Sequence, residues 1–146
     1  MTDEFAALRP RPWVTPAPDR ADDPWYLTGG HWLRLRDRRL RVFGIGVVAA
    51  AIDRSPLTIR RWECAGAFPV APLVTPGLGG DRRGLRRWYT KDDVVAVHEA
   101  AERHGLLARR YTPWTPWSFF EQVDARFRAT EQRLDLPPLP GVDTAA

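Results

Sequence analysis

The chain has 146 residues, enough for one domain of ordinary size with tails. Its single cysteine, Cys64, excludes an internal disulfide and a cysteine metal cluster, and no apolar run approaches the roughly 18 residues that span a bilayer. The net charge of +4 is unevenly spread: residues 31–110 hold 15 Arg and Lys91 against 8 acids, while residues 1–30 and 111–146 each hold 3 Arg against 5 acids. Such a basic centre fits a polyanionic partner or a solubilising surface, and charge alone does not choose between them. The chain opens with Asp3 and Glu4 rather than a basic-then-apolar leader, so the expected location is the cytoplasm of a bacterial or phage-infected cell.

Residues 1–30 carry Pro10, Pro12, Pro16, Pro18 and Pro24, and read as a Pro-rich extended arm, because proline removes backbone donors. In residues 31–43, Leu33 and Leu35 alternate with Arg34 and Arg36, and Leu40 and Val42 with Arg41, on either side of a polar turn. That period of two fits a short basic hairpin, although a helix end also fits. Its arginines suit either a backbone-contacting arm or a charged edge strand that resists aggregation.

From Ile45 the period lengthens. Ile45, Val48, Ala49 and Ile52 share a helical face, and Asp53-Arg54-Ser55-Pro56 ends that helix and starts another. Ser55 is the expected N-cap, Pro56 the first helical residue and Gly66 the stop. Two short helices joined so tightly must cross steeply, as in a helix-turn-helix. The Pro- and Gly-rich residues 69–84 exclude a helix, and the stretch from Leu85 to Tyr89 reads as a strand behind a basic wing. Thr90 and Asp93 have capping-box spacing for a third helix that buries Val94, Val97 or His98, and Ala101, and closes at Gly105. Thr115 and Pro116 start a fourth, with Phe120, Val123, Phe127 and Leu134 at helical spacing down to about Asp135. Its apolar stripe needs either the chain's own core or a second subunit, so 116–135 is a candidate oligomerisation surface. Pro137, Pro138 and Pro140 mark 136–146 as a disordered tail.

Residues 43–69, FGIGVVAAAIDRSPLTIRRWECAGAFP, resemble the helix-turn-helix of the MerR family and, still more closely, excisionase-like domains. The family's aromatic, Ile-Gly, Val-Ala and Ser-Pro positions match Phe43, Ile45-Gly46, Val48-Ala49 and Ser55-Pro56. Its Thr-hydrophobic-Arg-aromatic-aromatic-Glu run matches Thr58 to Glu63, with Arg61 in place of the first aromatic, and Gly66 matches the closing glycine. The run from Arg87 to Val94 resembles the strand-to-helix signature that follows the family's wing. Two departures stand out. Arg54 occupies a position where the family often has a small hydrophobe, and no cysteine pair or long dimerisation helix for effector sensing follows the wing.

The expectation is therefore a mainly α fold with a small β wing: a winged helix-turn-helix at 44–107, a C-terminal amphipathic helix at 108–135, and Pro/Trp-rich arms. The segment 42–107 is expected to fold by itself. Ile45, Val48, Ile59, Trp62 and Tyr89 are the expected core positions. Leu57, Thr58, Arg60 and Arg61 on the second helix are expected to read the major groove, where Arg chelates guanine and Leu or Thr meets a thymine methyl. Arg82, Arg83, Arg86 and Arg87 of the wing are expected to touch phosphates. Gly77 to Gly80 lacks the Gly-Lys-Ser/Thr ending of a phosphate loop. His31, His98 and His104 show no ligand spacing, and no catalytic constellation, metal site or cofactor motif stands out. Double-stranded DNA is the expected partner of a small regulator or excisionase-type architectural factor. The alternatives are a small-terminase-like packaging subunit, and an adaptor that binds protein through arms bearing Trp13, Trp25, Trp32, Trp114 and Trp117.

Overall fold

A computed structural model describes residues 14–36, 38–75, 86–108 and 116–135. In chain order its elements are β1 (Val14–Pro16), β2 (His31–Leu35), β3 (Arg38–Gly44), α1 (Ile45–Ala51), α2 (Pro56–Cys64), β4 (Leu73–Thr75), β5 (Arg86–Thr90), α3 (Lys91–Arg103), a 3-10 turn (Leu106–Ala108) and α4 (Trp117–Leu134). The strands form one antiparallel sheet in the order β1-β2-β3-β5-β4. This corrects the expectation of a mainly α fold: the described residues make an α+β fold, in which β4 and β5 are two strands of a five-stranded sheet rather than a small wing. The cause is β3, which does not stop at the hairpin. Its residues Val42, Phe43 and Gly44 pair with Thr90, Tyr89 and Trp88, fusing hairpin and wing.

Strand alternation then divides the side chains between two faces. Phe43 and Tyr89, register partners, lie on the face under the helices, in a core with Val48, Ile52, Ile59, Trp62, Phe68, Val94 and Val97. Val42 and Trp88 point to the opposite face and pack with Leu33, Leu73 and Leu134. Burying the Trp88 indole leaves its N–H needing an acceptor, and Thr75 Oγ1 provides one at 2.8 Å. Ile45 is only partly buried against the main core, whereas Val48, Ile59 and Tyr89 are fully buried.

From Val14 onward, the segment expected as an extended arm is part of the domain. β1 pairs with β2, the Ala17 N–H donates to the Gly30 carbonyl at 2.9 Å, and Tyr26 and Leu27 are buried in the main core. Asp23 fastens this segment. Its carboxylate accepts from both terminal nitrogens of Arg41, one of them at 3.0 Å, from the Arg20 backbone N–H at 3.1 Å, and lies 3.4 Å from Lys91 Nζ. The Asp23 and Arg41 side chains are 3% and 7% exposed, so each neutralises a charge that water cannot reach. Hydrogen bonding from Arg41 outweighs burial and holds the Asp23 carboxyl well below the usual carboxylate range.

α3 begins at the expected capping box. Thr90 Oγ1 accepts from the Asp93 N–H, and an Asp93 carboxylate oxygen accepts from the Thr90 N–H at 2.9 Å. The other oxygen accepts from Thr130 Oγ1 of α4 at 2.6 Å, so one buried carboxylate caps α3 and clamps α4 onto it. α4 buries Phe119, Val123, Phe127, Thr130 and Leu134 within this chain, so the stripe considered for oligomerisation is used internally. The stripe starts at Phe119 rather than Phe120, because Phe119 packs against Phe68 and His104, and the helix starts at Trp117 with Pro116 as N-cap, one residue later than expected. Phe120 instead stacks on the exposed Trp117 ring at 4.9 Å. No helix among the described residues is long and apolar enough to cross a membrane.

Two outcomes follow from this packing. The segment 42–107 lacks Tyr26, Leu27, Phe119, Val123 and Phe127 of the main core, so against the sequence expectation it should show no cooperative melting, whereas the full chain should. Asp23 has a depressed folded-state pKa, so its stabilisation is present above its ordinary value of about 3.9 and is lost as pH falls below it. The melting temperature of the wild type should therefore fall progressively as the pH is lowered from about 5 into the strongly acid range. Asp23→Asn should start lower at neutral pH and show a flatter acid limb; equal acid limbs would refute the assignment.

Candidate nucleic-acid interface

The turn between α1 and α2 is built by local chemistry. Asp53 takes a left-handed conformation (φ 54°), which lets its own N–H reach Ala50 O at 3.2 Å and the Arg54 N–H reach Ala49 O at 2.9 Å. Arg54 then ties this turn to the 3-10 turn after α3: its guanidinium donates to Ile52 O at 3.0 Å and to Leu106 O at 2.9 Å, and lies 6.0 Å from the Trp62 ring. The departure from the resembled pattern at Arg54 is thus a structural tie. Ser55 caps α2, its hydroxyl accepting from the Thr58 N–H at 3.2 Å, with Pro56 as the first helical residue. At the far end Gly66 (φ 75°) lets the Ala67 N–H bond Trp62 O at 2.7 Å.

Between these caps α2 is two-sided. Ile59 and Trp62 are buried, while Leu57, Arg60, Arg61 and Cys64 are exposed and recur one helical turn apart. Leu57 is 53% exposed, unusual for a leucine in a short helix with a core to join. Thr58 is half-buried, and its hydroxyl lies 3.0 Å from Ser55 Oγ, so part of its hydrogen-bonding capacity serves the cap. No ion pair engages Arg60 or Arg61 among the described residues. This is a helix N-terminal half held rigidly from behind, with two guanidinium groups and an isobutyl group facing solvent.

The four wing arginines do not form one set. Arg82 and Arg83 lie outside the described residues. Arg86 and Arg87 are adjacent on β5 and therefore point to opposite faces of the sheet. Arg87 turns toward the helices, where Nε donates to both Glu63 oxygens at 2.9 and 2.8 Å. The neighbouring Glu63 carboxylate raises the Arg87 pKa further, and the pair fixes the end of α2 against the sheet. Arg87 is thus a strut rather than a free phosphate contact. Arg86 is exposed on the other face, its guanidinium 4.8 Å from the Trp88 ring centroid. There it helps hold the His31 imidazole below its ordinary pKa, burial being the larger cause.

Of the flanking aromatics, Trp25 (73% exposed) and Trp117 (65% exposed) reach solvent, and Trp32 is half-buried under Arg39 at 5.0 Å. Trp13 and Trp114 lie outside the described residues. His98 Nδ1 lies 2.7 Å from Ala51 O and its ring stacks on Tyr26 at 4.6 Å, and among the described residues no cluster has the makings of a metal site. Comparison of the chain with protein-family models, with curated proteins and with solved structures finds no match.

The two sides of α2 should separate in stability. Trp62→Ala removes a buried aromatic and should cost about 3–5 kcal/mol, whereas Arg61→Ala on the exposed side should change stability by no more than about 0.5 kcal/mol. Urea unfolding of both variants checks this, and equal losses would show the faces to be misassigned.

Proposed function

We propose that this chain binds duplex DNA by seating α2 in the major groove, and acts as a small regulator or excisionase-type architectural factor. The observation that carries the reading is the composition of the α2 solvent face. Leu57, Arg60 and Arg61 are presented together from a helix whose opposite side is locked by Ile59 and Trp62. The major groove admits an α-helix, a guanidinium bonds guanine O6 and N7 together, and an apolar tip meets a thymine methyl. The resemblance of residues 43–69 and 87–94 to MerR and excisionase-like domains supports the same use of the helix. The basic surplus of residues 31–110 supplies the long-range attraction. In this reading Arg82 and Arg83 touch phosphates beside the groove, and Arg87 contributes by holding α2 in place through Glu63.

The packaging alternative rested on a C-terminal helix free to assemble, and α4 spends that stripe on its own core. The adaptor alternative draws on the exposed rings of Trp25 and Trp117, and it requires that DNA binding be absent or unsaturable.

Fluorescence anisotropy of the full chain on duplex DNA across a salt series tests the proposal. With on the order of four to six phosphates neutralised, log K should fall against log salt with a slope of about −4 to −5. Arg61→Ala should cost about 1–3 kcal/mol on a selected sequence and less on random duplex. A slope near zero, or an Arg60→Ala/Arg61→Ala variant that binds like the wild type, would overturn it.

A further inference from the structure

The β2–β3 hairpin carries a second cationic surface, remote from α2. Pairing runs from His31↔Val42 through Leu35↔Arg38. β1 pairs with β2 only as far as Leu33, and β5 pairs with β3 only from Val42 onward. Among the described residues, positions 34–36 and 38–41 therefore project from the sheet as a two-stranded ribbon. One side is anchored, with Leu35 and Leu40 packing against the Leu33, Val42, Trp88 and Leu134 cluster, and Arg36 bonding the Asp135 carbonyl at 2.8 Å. The rest of the ribbon is arginine.

Two features of that charge require explanation. Arg34 and Arg39 are direct register partners, an arrangement that repels. The nearby Arg41 is neutralised by buried Asp23, and among the described residues Arg36 pairs with the highly exposed Asp135. Arg34, Arg38 and Arg39 have no ion pair among the described residues; Arg39 instead stacks on Trp32 at 5.0 Å. A fold that keeps like charges opposed on a rigid, projecting support gains when an anion comes between them. Strand direction fixes where this surface lies. Arg38 is six residues from Gly44, which pairs with Trp88, and Arg86 is two residues further on. At about 3.3 Å per residue the hairpin end and the wing end of the sheet are roughly 26 Å apart. α2 is tied to the wing end by Glu63 and Arg87.

We propose that Arg34 and Arg39, register partners on one face of the hairpin, form a second phosphate-binding surface, which engages DNA backbone beyond the stretch covered by α2 and the wing. This rests on the DNA-binding reading above. The phosphates belong either to the same duplex, roughly 8 base pairs away, or to a second duplex, and the chemistry of contact is the same.

The test compares the full-length wild type with Arg34→Gln/Arg39→Gln on duplexes of about 10 and about 24 base pairs, across a salt series, with binding stoichiometry per chain. Both positions are exposed and repel each other, so melting temperature should not fall. On the long duplex the variant should have a salt slope shallower by about two units, one per phosphate released. Lysine at both positions should restore it, because phosphate contact needs charge rather than the guanidinium fork. On the short duplex either of two results fits: unchanged 1:1 binding locates the contact on the same duplex, and loss of a second bound duplex per chain locates it on another. Wild-type and glutamine variants with identical slopes and stoichiometries overturn the inference while leaving DNA binding intact. A wild type that binds neither duplex overturns the underlying reading instead.

Discussion

The pairing of Val42, Phe43 and Gly44 with Thr90, Tyr89 and Trp88 joins stretches of chain separated by the whole helix-turn-helix. Three residues of ladder make the hairpin and the wing a single sheet, and they launch α1 from one strand and α3 from the other. Because neighbours on a strand face opposite ways, the same ladder commits Phe43 and Tyr89 to the helices and Val42 and Trp88 to the far side. A one-residue slip would exchange these four bulky groups between the two cores. The position of α2 is downstream of this register, since α2 packs on α1 and is tied to β5 by Glu63 and Arg87.

Both faces of the sheet then need covering, and α4 serves both. Phe119, Val123 and Phe127 complete the helical core, and Leu134 joins the cluster on the far face. The two meet at Asp93, buried at the start of α3. Burial raises its pKa, while bonds from Thr130 and Thr90 act the other way. A carboxylate is tolerated there because both oxygens have donors, one local in sequence and one on α4.

Positive charge is divided by the same geometry. Arg41, Arg54 and Arg87 are bound to Asp23, to backbone carbonyls and to Glu63, and serve as ties between elements. Arg60, Arg61, Arg34 and Arg38 are left to solvent on α2 and on the hairpin. A basic surplus in the composition therefore does not measure the charge available to a partner. The difference is set by which arginines the fold has already enclosed with an acceptor, since an enclosed pair has little field left to offer.

Much of the local structure was legible in the residues. Ser55-Pro56, Gly66, Thr90 with Asp93 and Gly105 mark helix ends through caps that act within a few positions, and the structure places those ends there or within a residue. Along α2 the 3.6-residue period separated Ile59 and Trp62 from Leu57 and Arg61, with Arg60 at the edge. Arg86 and Arg87 could also have been assigned to opposite faces, because a period of two leaves adjacent strand residues no alternative. Other features were not legible from local pattern. Phe119 and Phe120 both fit an amphipathic helix, and only packing against Phe68 and His104 chooses Phe119. The proline-dense segment before β2 looked like an arm because proline suppresses helices and strand interiors. Yet its Asp23 finds Arg41, and its Tyr26 finds His98, through contacts distant in sequence. The sequence by itself determined the caps of α2 and α3, the buried face of α2 and the tight turn between α1 and α2, since those depend on neighbours a few residues away. The five-stranded sheet, the two cores and the division of arginines into ties and free charge were decided only by tertiary structure. Their partners lie tens of residues apart, and no local period encodes which of several acceptors or strands will meet.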